Sequence, residues 1–166
     1  MMGGIEKICL AVYERKRLCT ALRAVSLVVT AVSVASFLYL AFVCFKISPL
    51  SLVRYLIITG VPFAVVSLLR RAVSLPRPYE VYTFYELPPK SKRGDSFPSR
   101  HTFSAFLIGT LFAFVSPFLS AILLVLGVML ATARVLLGIH FLRDVFVGAI
   151  VGVASALLGV LLASPF

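Results

Sequence analysis

From Ala24 to Phe45, and again from Thr102 to Ala133, the chain carries no charged residue. The hydrocarbon core of a bilayer is about 30 Å thick, and about 20 apolar residues of α-helix are needed to cross it. The apolar residues come in such long runs rather than in short alternating ones, which is the pattern of spanning helices. The 166-residue chain is 61% hydrophobic and 13% charged, with a mean hydropathy of +1.08. A soluble domain of that size cannot hide so much apolar surface. The fold class is therefore an all-α integral membrane protein.

Charges and turn residues divide it. Ala24 to Phe45 is one span, and Pro49 to Leu69 is a second, with Gly60 and Pro62 expected to bend it. The stretch from Thr102 to Ala133 is too long for one span, and Ser116-Pro117 splits it into a hairpin of two shortish helices. Val145 to Ala163 is the last. Residues 1–22 mix apolar residues with Lys7, Arg15, Lys16 and Arg17, which suits an amphipathic helix lying in the interface. Residues 71–100 form the only long loop; its prolines and aromatics (Tyr79, Tyr82, Phe84, Tyr85) suit the headgroup level. The expectation is one domain over 1–166, with five membrane helices and an interfacial helix, and no internal repeat. No Ala-x-Ala-like site follows the first apolar run, so no cleaved leader is expected.

Sixteen Lys and Arg against six Asp and Glu give a net charge of +10. The basic residues lie between apolar segments with no aromatic-interleaved stripe, so lipid headgroups rather than nucleic acid are the expected partners. Cys9, Cys19 and Cys44 give neither an even disulfide set nor a metal-ligand spacing.

Helix parity brings the chemistry-bearing residues to one membrane face. Arg70 and Arg77 follow the second span, Ser99 and His101 open the third, Arg134 closes the fourth, and His140 and Asp144 lead into the fifth. His101 and His140 are the only histidines. If their segment is helical, His140 and Asp144 at i, i+4 share a face. A carboxylate on one ring nitrogen then leaves the other free as base or nucleophile. Pro98 and Ser99 suit a helix start, whose free N–H groups favour anions. Arg70 and Arg77 add forked donors matched to phosphate oxygens. His101, His140 and Asp144 could alternatively hold a metal, but three arginines around them would repel a cation. The Gly148-x3-Gly152 spacing reads as close helix packing.

Arg70-x6-Arg77-Pro78, Pro98-Ser99-x-His101 and Arg134-x5-His140-x3-Asp144 resemble the three-part signature of the type 2 phosphatidic acid phosphatase (PAP2) superfamily. The superfamily also holds undecaprenyl-pyrophosphate phosphatases, phosphatidylglycerophosphate phosphatases and vanadium haloperoxidases. Departures are Arg70 for the usual Lys, Arg100 for the usual Gly, Ala133 for the usual Ser, and five helices where six are common. The resemblance implies a hydrolase in which His140, oriented by Asp144, attacks phosphorus to form a phosphohistidine. His101 would then protonate the leaving group. Arg70, Arg77, Ser99, Arg100 and Arg134 would hold the phosphate, with no metal or other cofactor. The substrates implied are lipid phosphates: polyprenyl diphosphate, phosphatidic acid, phosphatidylglycerophosphate or a polyprenyl-linked sugar phosphate. Alternatives are phosphotransfer to another lipid, and a catalytically silent lipid-binding subunit. The membrane helices leave room for a homo-oligomer.

Of the Lys and Arg residues, only Lys46 and Arg54 fall on the face opposite the site. The positive-inside rule then places the site and the N-terminus on the cytoplasmic face of the cell membrane.

Overall fold

The computed structural model describes residues 4–82 and 94–166. Much of the expected aromatic loop, including Phe84 and Tyr85, lies outside the described residues. Seven α-helices follow in chain order: α1 (Gly4–Tyr13), α2 (Lys16–Ile47), α3 (Pro49–Val73), α4 (Pro78–Val81), α5 (Arg100–Leu111), α6 (Pro117–Leu136) and α7 (Leu142–Ala163). One 3-10 turn, Phe112–Phe114, joins α5 to α6. No strand occurs among the described residues. The chain is a multi-pass, all-α membrane protein.

Local chemistry sets the boundaries. Ser48 is extended, and its hydroxyl accepts from the Ser51 amide at 3.0 Å while Pro49 takes the first position of α3. Ser116-Pro117 repeats the device at the start of α6, where the Ser116 hydroxyl accepts from Leu119 N–H at 3.4 Å. The hairpin expected there is present. Proline costs no hydrogen bond in the first turn, where its missing N–H would have no partner anyway. Helix α3 continues through Gly60 and Pro62 to Val73.

Two expectations change. Helices α2, α3, α6 and α7 are each long and apolar enough to cross a membrane alone. α5 is shorter, yet with the 3-10 turn it carries the chain from the site end to the Ser116-Pro117 turn, from which α6 returns to Arg134. The 12 residues of α5 rise about 18 Å, well short of the hydrocarbon thickness. α5 occupies the centre, where Phe103, Leu107, Ile108 and Leu111 are buried and the other helices, rather than lipid, surround it. The 3-10 turn ends this core, with Phe112 stacked 6.0 Å from Tyr39 of α2. At the N-terminus the expected single interfacial helix is two elements. α1 stops at Tyr13, and residues 16–22 are the first turns of α2. The apolar side of α1 does not rest on lipid alone. Cys9 is buried against Tyr79, with Tyr13 and Tyr82 packed beside them.

The centre is held by close backbone approach. A Cβ at Gly148 would sit 2.7 Å from the Ser99 carbonyl oxygen, and one at Gly152 would sit 2.5 Å from that of Phe103. Absent side chains thus let α7 lie directly on the first turns of α5, as small residues do in membrane interfaces. Polar side chains add cross-helix bonds: Tyr55 donates to the Phe37 carbonyl at 3.0 Å and Ser120 to that of Gly109 at 2.8 Å. The outer faces of α2, α3, α6 and α7 keep residues such as Leu27, Phe42, Leu68, Val125 and Leu161 exposed, as lipid contact requires.

Candidate active site

Where α3, α6 and α7 meet the start of α5, the polar residues converge. Helix α6 ends at Leu136, and Gly138 takes a φ of +67°, open to glycine at little cost. The turn folds back so that Ile139 and His140 both donate their N–H to the Arg134 carbonyl, at 3.0 and 3.2 Å. His140 therefore lies in the turn ahead of α7, not on the helix where an i, i+4 pairing would place it. It still meets Asp144, because Asp144 folds back to cap α7 and accepts from Phe141 N–H at 2.9 Å. His140 Nδ1 is 3.6 Å from Asp144 Oδ2.

A residue outside the motifs stands between them. Ser96, fully buried, donates from Oγ to Asp144 Oδ2 at 2.5 Å, and the same oxygen lies 3.4 Å from His140 Nδ1. A hydroxyl has one proton and two lone pairs. With its proton given to Asp144, Ser96 can accept from Nδ1–H, which fixes the tautomer and leaves Nε2 with a free lone pair. Nothing in the sequence marked Ser96, since its partners are 44 and 48 residues away. Glu80 was also missed: its Oε1 accepts from Gly94 N–H at 2.8 Å and lies 3.4 Å from Arg77 N. The scarcity of acids was the available signal, because so basic a chain places few carboxylates beside its motifs by chance.

The arginines are braced by carbonyls rather than carboxylates. Arg70, buried near the end of α3, donates from Nη1 to the Pro98 carbonyl at 2.8 Å and from Nη2 to that of Asp95. Arg77 donates from Nε to the Gly94 carbonyl at 3.0 Å, and its guanidinium lies 5.8 Å from the Tyr79 ring centre. Arg134 Nε is buried with no hydrogen-bond partner among the described residues. Neutral braces fix Arg70 and Arg77 without cancelling their charge, so the site keeps its attraction for an anion.

At the start of α5, Ser99 is fully buried and its hydroxyl caps the helix, 3.5 Å from Thr102 N and 3.1 Å from Thr102 Oγ1. Its own N–H goes to the Asp144 carbonyl at 2.9 Å. Ser99 thus locks α5 to α7 and offers no free N–H. The Arg100 guanidinium lies 5.9 Å from the Phe63 ring centre on α3, and its charge is still felt at Arg70 and His101. His101 faces the remaining cations.

Burial holds His140 below the ordinary histidine value of 6.5, helped by the Arg77 and Arg70 charges and opposed by Asp144. Desolvation, then the charges of Arg134, His140, Arg100 and Arg70, also hold His101 well below that range, although the residue is exposed. Both imidazoles are therefore neutral at pH 7. Beside His101 opens an apolar cavity of about 520 Å³ between α2, α3, α5 and α6, lined by Val34, Phe37, Leu56, Phe63 and Leu107 among others.

A helical membrane bundle with a His–Ser–Asp chain and several cations at one end is the class defined by fold and site together. The chain belongs to the PAP2 superfamily, whose family model matches residues 51–165. Its fold is similar to that of Aquifex aeolicus LpxE in a crystal structure, with a TM-score of 0.70 and 22% identity, covering 94% of this chain and 93% of the other. The first transmembrane PAP2 type phosphatidylglycerolphosphate phosphatase from Bacillus subtilis aligns with a TM-score of 0.46 and 21% identity, over 92% of this chain and 89% of that one. No curated protein matches the sequence.

Replacing Ser96 tests the bridging geometry. Ser96→Ala should lower kcat about tenfold with little change in KM, since it removes a group that orients His140 and not one that binds substrate. Asp144 would then turn more of its charge on the imidazole, so the acid limb of the pH profile should move upward. Ser96→Thr should restore both. An unmoved pH profile in Ser96→Ala, with only a lower melting temperature, would reduce Ser96 to a packing residue.

Proposed function

We propose that this chain is a membrane lipid phosphatase that cleaves a phosphate monoester or diphosphate from an apolar tail through a phosphohistidine on His140. The observation that carries the reading is the Nε2 of a buried, oriented His140 beside Arg70, Arg77 and Arg134, none of which forms a salt bridge among the described residues. Nε2 would attack phosphorus in line while Arg70, Arg77 and Arg134 hold the equatorial oxygens. The orphaned Arg134 Nε fits this role, because a substrate oxygen would give it the partner it lacks.

His101 would serve as general acid toward the leaving oxygen. Burial and the surrounding arginines oppose its protonation, and a bound phosphate would offset this by bringing negative charge among the arginines. The proton thus arrives with the substrate. The tail would follow the cavity that opens beside His101, which puts the leaving group next to the acid. Water, activated at His140 once the leaving group has gone, would release phosphate. The arginines supply the positive charge that a metal supplies in other phosphatases, so no metal step is required.

The site is assigned to the cytoplasmic face of the cell membrane. The support is the excess of basic residues on the site side and the docking of α1 there, where Cys9 Sγ lies 3.6 Å from the Val135 carbonyl at the end of α6. In a cysteine-free background, a single cysteine at position 92 should resist an impermeant thiol reagent in intact cells and react after lysis. Labelling in intact cells would place the site outside.

Purified protein in detergent, with chelator present, should release phosphate from lipid phosphates and be inhibited by vanadate. His140→Ala should lose activity by on the order of 10³-fold or more. The nucleophile must be neutral, and its pKa is depressed. Activity should therefore persist as pH falls past 6.5, the ordinary histidine value, and disappear only below it. Equal release by wild type and His140→Ala would overturn the phosphatase reading, and loss on chelation would overturn the metal-free one.

A further inference from the structure

The proposed mechanism leaves one part of the site end unused: the aromatic cap over the His140 turn. Its centre is α4, four residues that follow Arg77 directly. A single turn of helix has little stability of its own, because nucleation costs more than one turn returns. Packing must therefore hold α4, and with it Arg77.

Tyr79 makes the contacts that do so. The Arg77 guanidinium lies over its ring, 5.8 Å from the centre. Its N–H donates to the Gly138 carbonyl at 3.2 Å, in the turn that presents His140. Its side chain is buried against Cys9 of α1. Tyr82, three residues on, makes matching contacts. Its ring meets that of Phe141 edge-on at 6.0 Å, and its hydroxyl shares a hydrogen bond with the Glu6 side chain of α1. Helix α1 is fastened to the bundle at the same place, since Cys9 Sγ lies 3.6 Å from the Val135 carbonyl. Three segments distant in sequence, α1, α4 and the Gly138–Phe141 turn, thus meet on one pair of tyrosines.

Resting on the phosphatase reading, we propose that Tyr79 is the positioning residue for Arg77 and that α1 keeps Tyr79 in place. Phosphate affinity then depends on a helix that lies outside the site. The Nε bond to the Gly94 carbonyl holds one edge of the Arg77 fork, and the Tyr79 ring limits the turning of its plane. An arginine already held loses less freedom when an anion arrives. Removing the ring frees the fork without removing its charge, so general attraction for anions survives and directed contact with phosphate is lost. The bond to Gly138 belongs to the peptide, so a changed side chain at position 79 leaves it available and His140 keeps its place.

The test reads the affinity of the purified protein for inorganic phosphate by calorimetry in detergent, together with kcat/KM on phosphatidic acid. Tyr79→Leu should weaken both by about three- to thirtyfold, the scale of a partly desolvated cation–π contact. Tyr79→Phe keeps the ring and should recover most of the loss. In an Arg77→Ala background, Tyr79→Leu should cost less than about twofold more, because a residue acting through Arg77 then has nothing left to position. Losses that multiply, or a Tyr79→Phe as weak as Tyr79→Leu, would make Tyr79 a packing residue and overturn the proposal. Cys9→Trp, too large for its buried position, should match Tyr79→Leu, whereas Ile8→Trp on the exposed side of α1 should leave affinity unchanged. Wild-type affinity in Cys9→Trp would overturn the role of α1. A wild type that binds phosphate but hydrolyses neither phosphatidic acid nor any other lipid phosphate would strike the phosphatase reading, and the affinities would still decide the role of Tyr79.

Discussion

One buried carboxylate ties the active end of the bundle together. Asp144 has no solvent exposure, and its Oδ2 meets the Ser96 hydroxyl, the Phe141 amide and the His140 ring. Its backbone carbonyl receives the Ser99 amide, so the same residue fixes the start of α5 against α7. A charge in that position is tolerable only when its lone pairs are met by donors and a cation lies close. Arg143 Nε, at 3.5 Å from Oδ1, supplies one such cation from the exposed side. His140, its orienting hydroxyl and the cap of the central helix are therefore one hydrogen-bonded unit. Loosening any member would move the others.

The cations around this unit are arranged on a different rule. Arg70 and Arg77 are held by peptide carbonyls, which fix direction without supplying a full opposing charge. The result is a rigid positive field in a low-dielectric setting, where an incoming phosphate gains most. Burial first, and this field second, favour the neutral form of both histidines. On the proposed mechanism charge and proton delivery are coupled, because the substrate would supply the negative charge that makes His101 an acid. Helix α1 covers one flank through Cys9 and the Tyr79 cluster, which explains why a segment that reads as interfacial is partly buried.

Much of this was legible in the sequence for a definite physical reason. Long charge-free runs have few stable forms, so the helices and the Ser116-Pro117 hairpin could be read directly, and parity gathered Arg70, Arg77, His101, Arg134, His140 and Asp144 at one end. Composition does not distinguish a helix buried by protein from one buried by lipid, so the sequence did not show that α5 is a 12-residue helix enclosed by the others. Nor does spacing show a back-folded side chain: His140 and Asp144 meet through a turn and a cap, not along a helix face. Ser96 was invisible because a hydroxyl in a loop gains its role only from distant partners. Arg100 was visible as a departure from the family pattern, but its direction toward Phe63 and the cavity belongs to the tertiary structure.

The central claim is a covalent step at His140, and the stereochemistry at phosphorus tests it most directly. Each in-line displacement inverts the phosphorus, so transfer to His140 followed by transfer to water gives two inversions. A lipid phosphate made chiral at phosphorus with oxygen isotopes and sulfur should therefore yield inorganic thiophosphate with net retention of configuration. Net inversion would mean that water attacks the substrate directly, and it would contradict the nucleophilic role of His140.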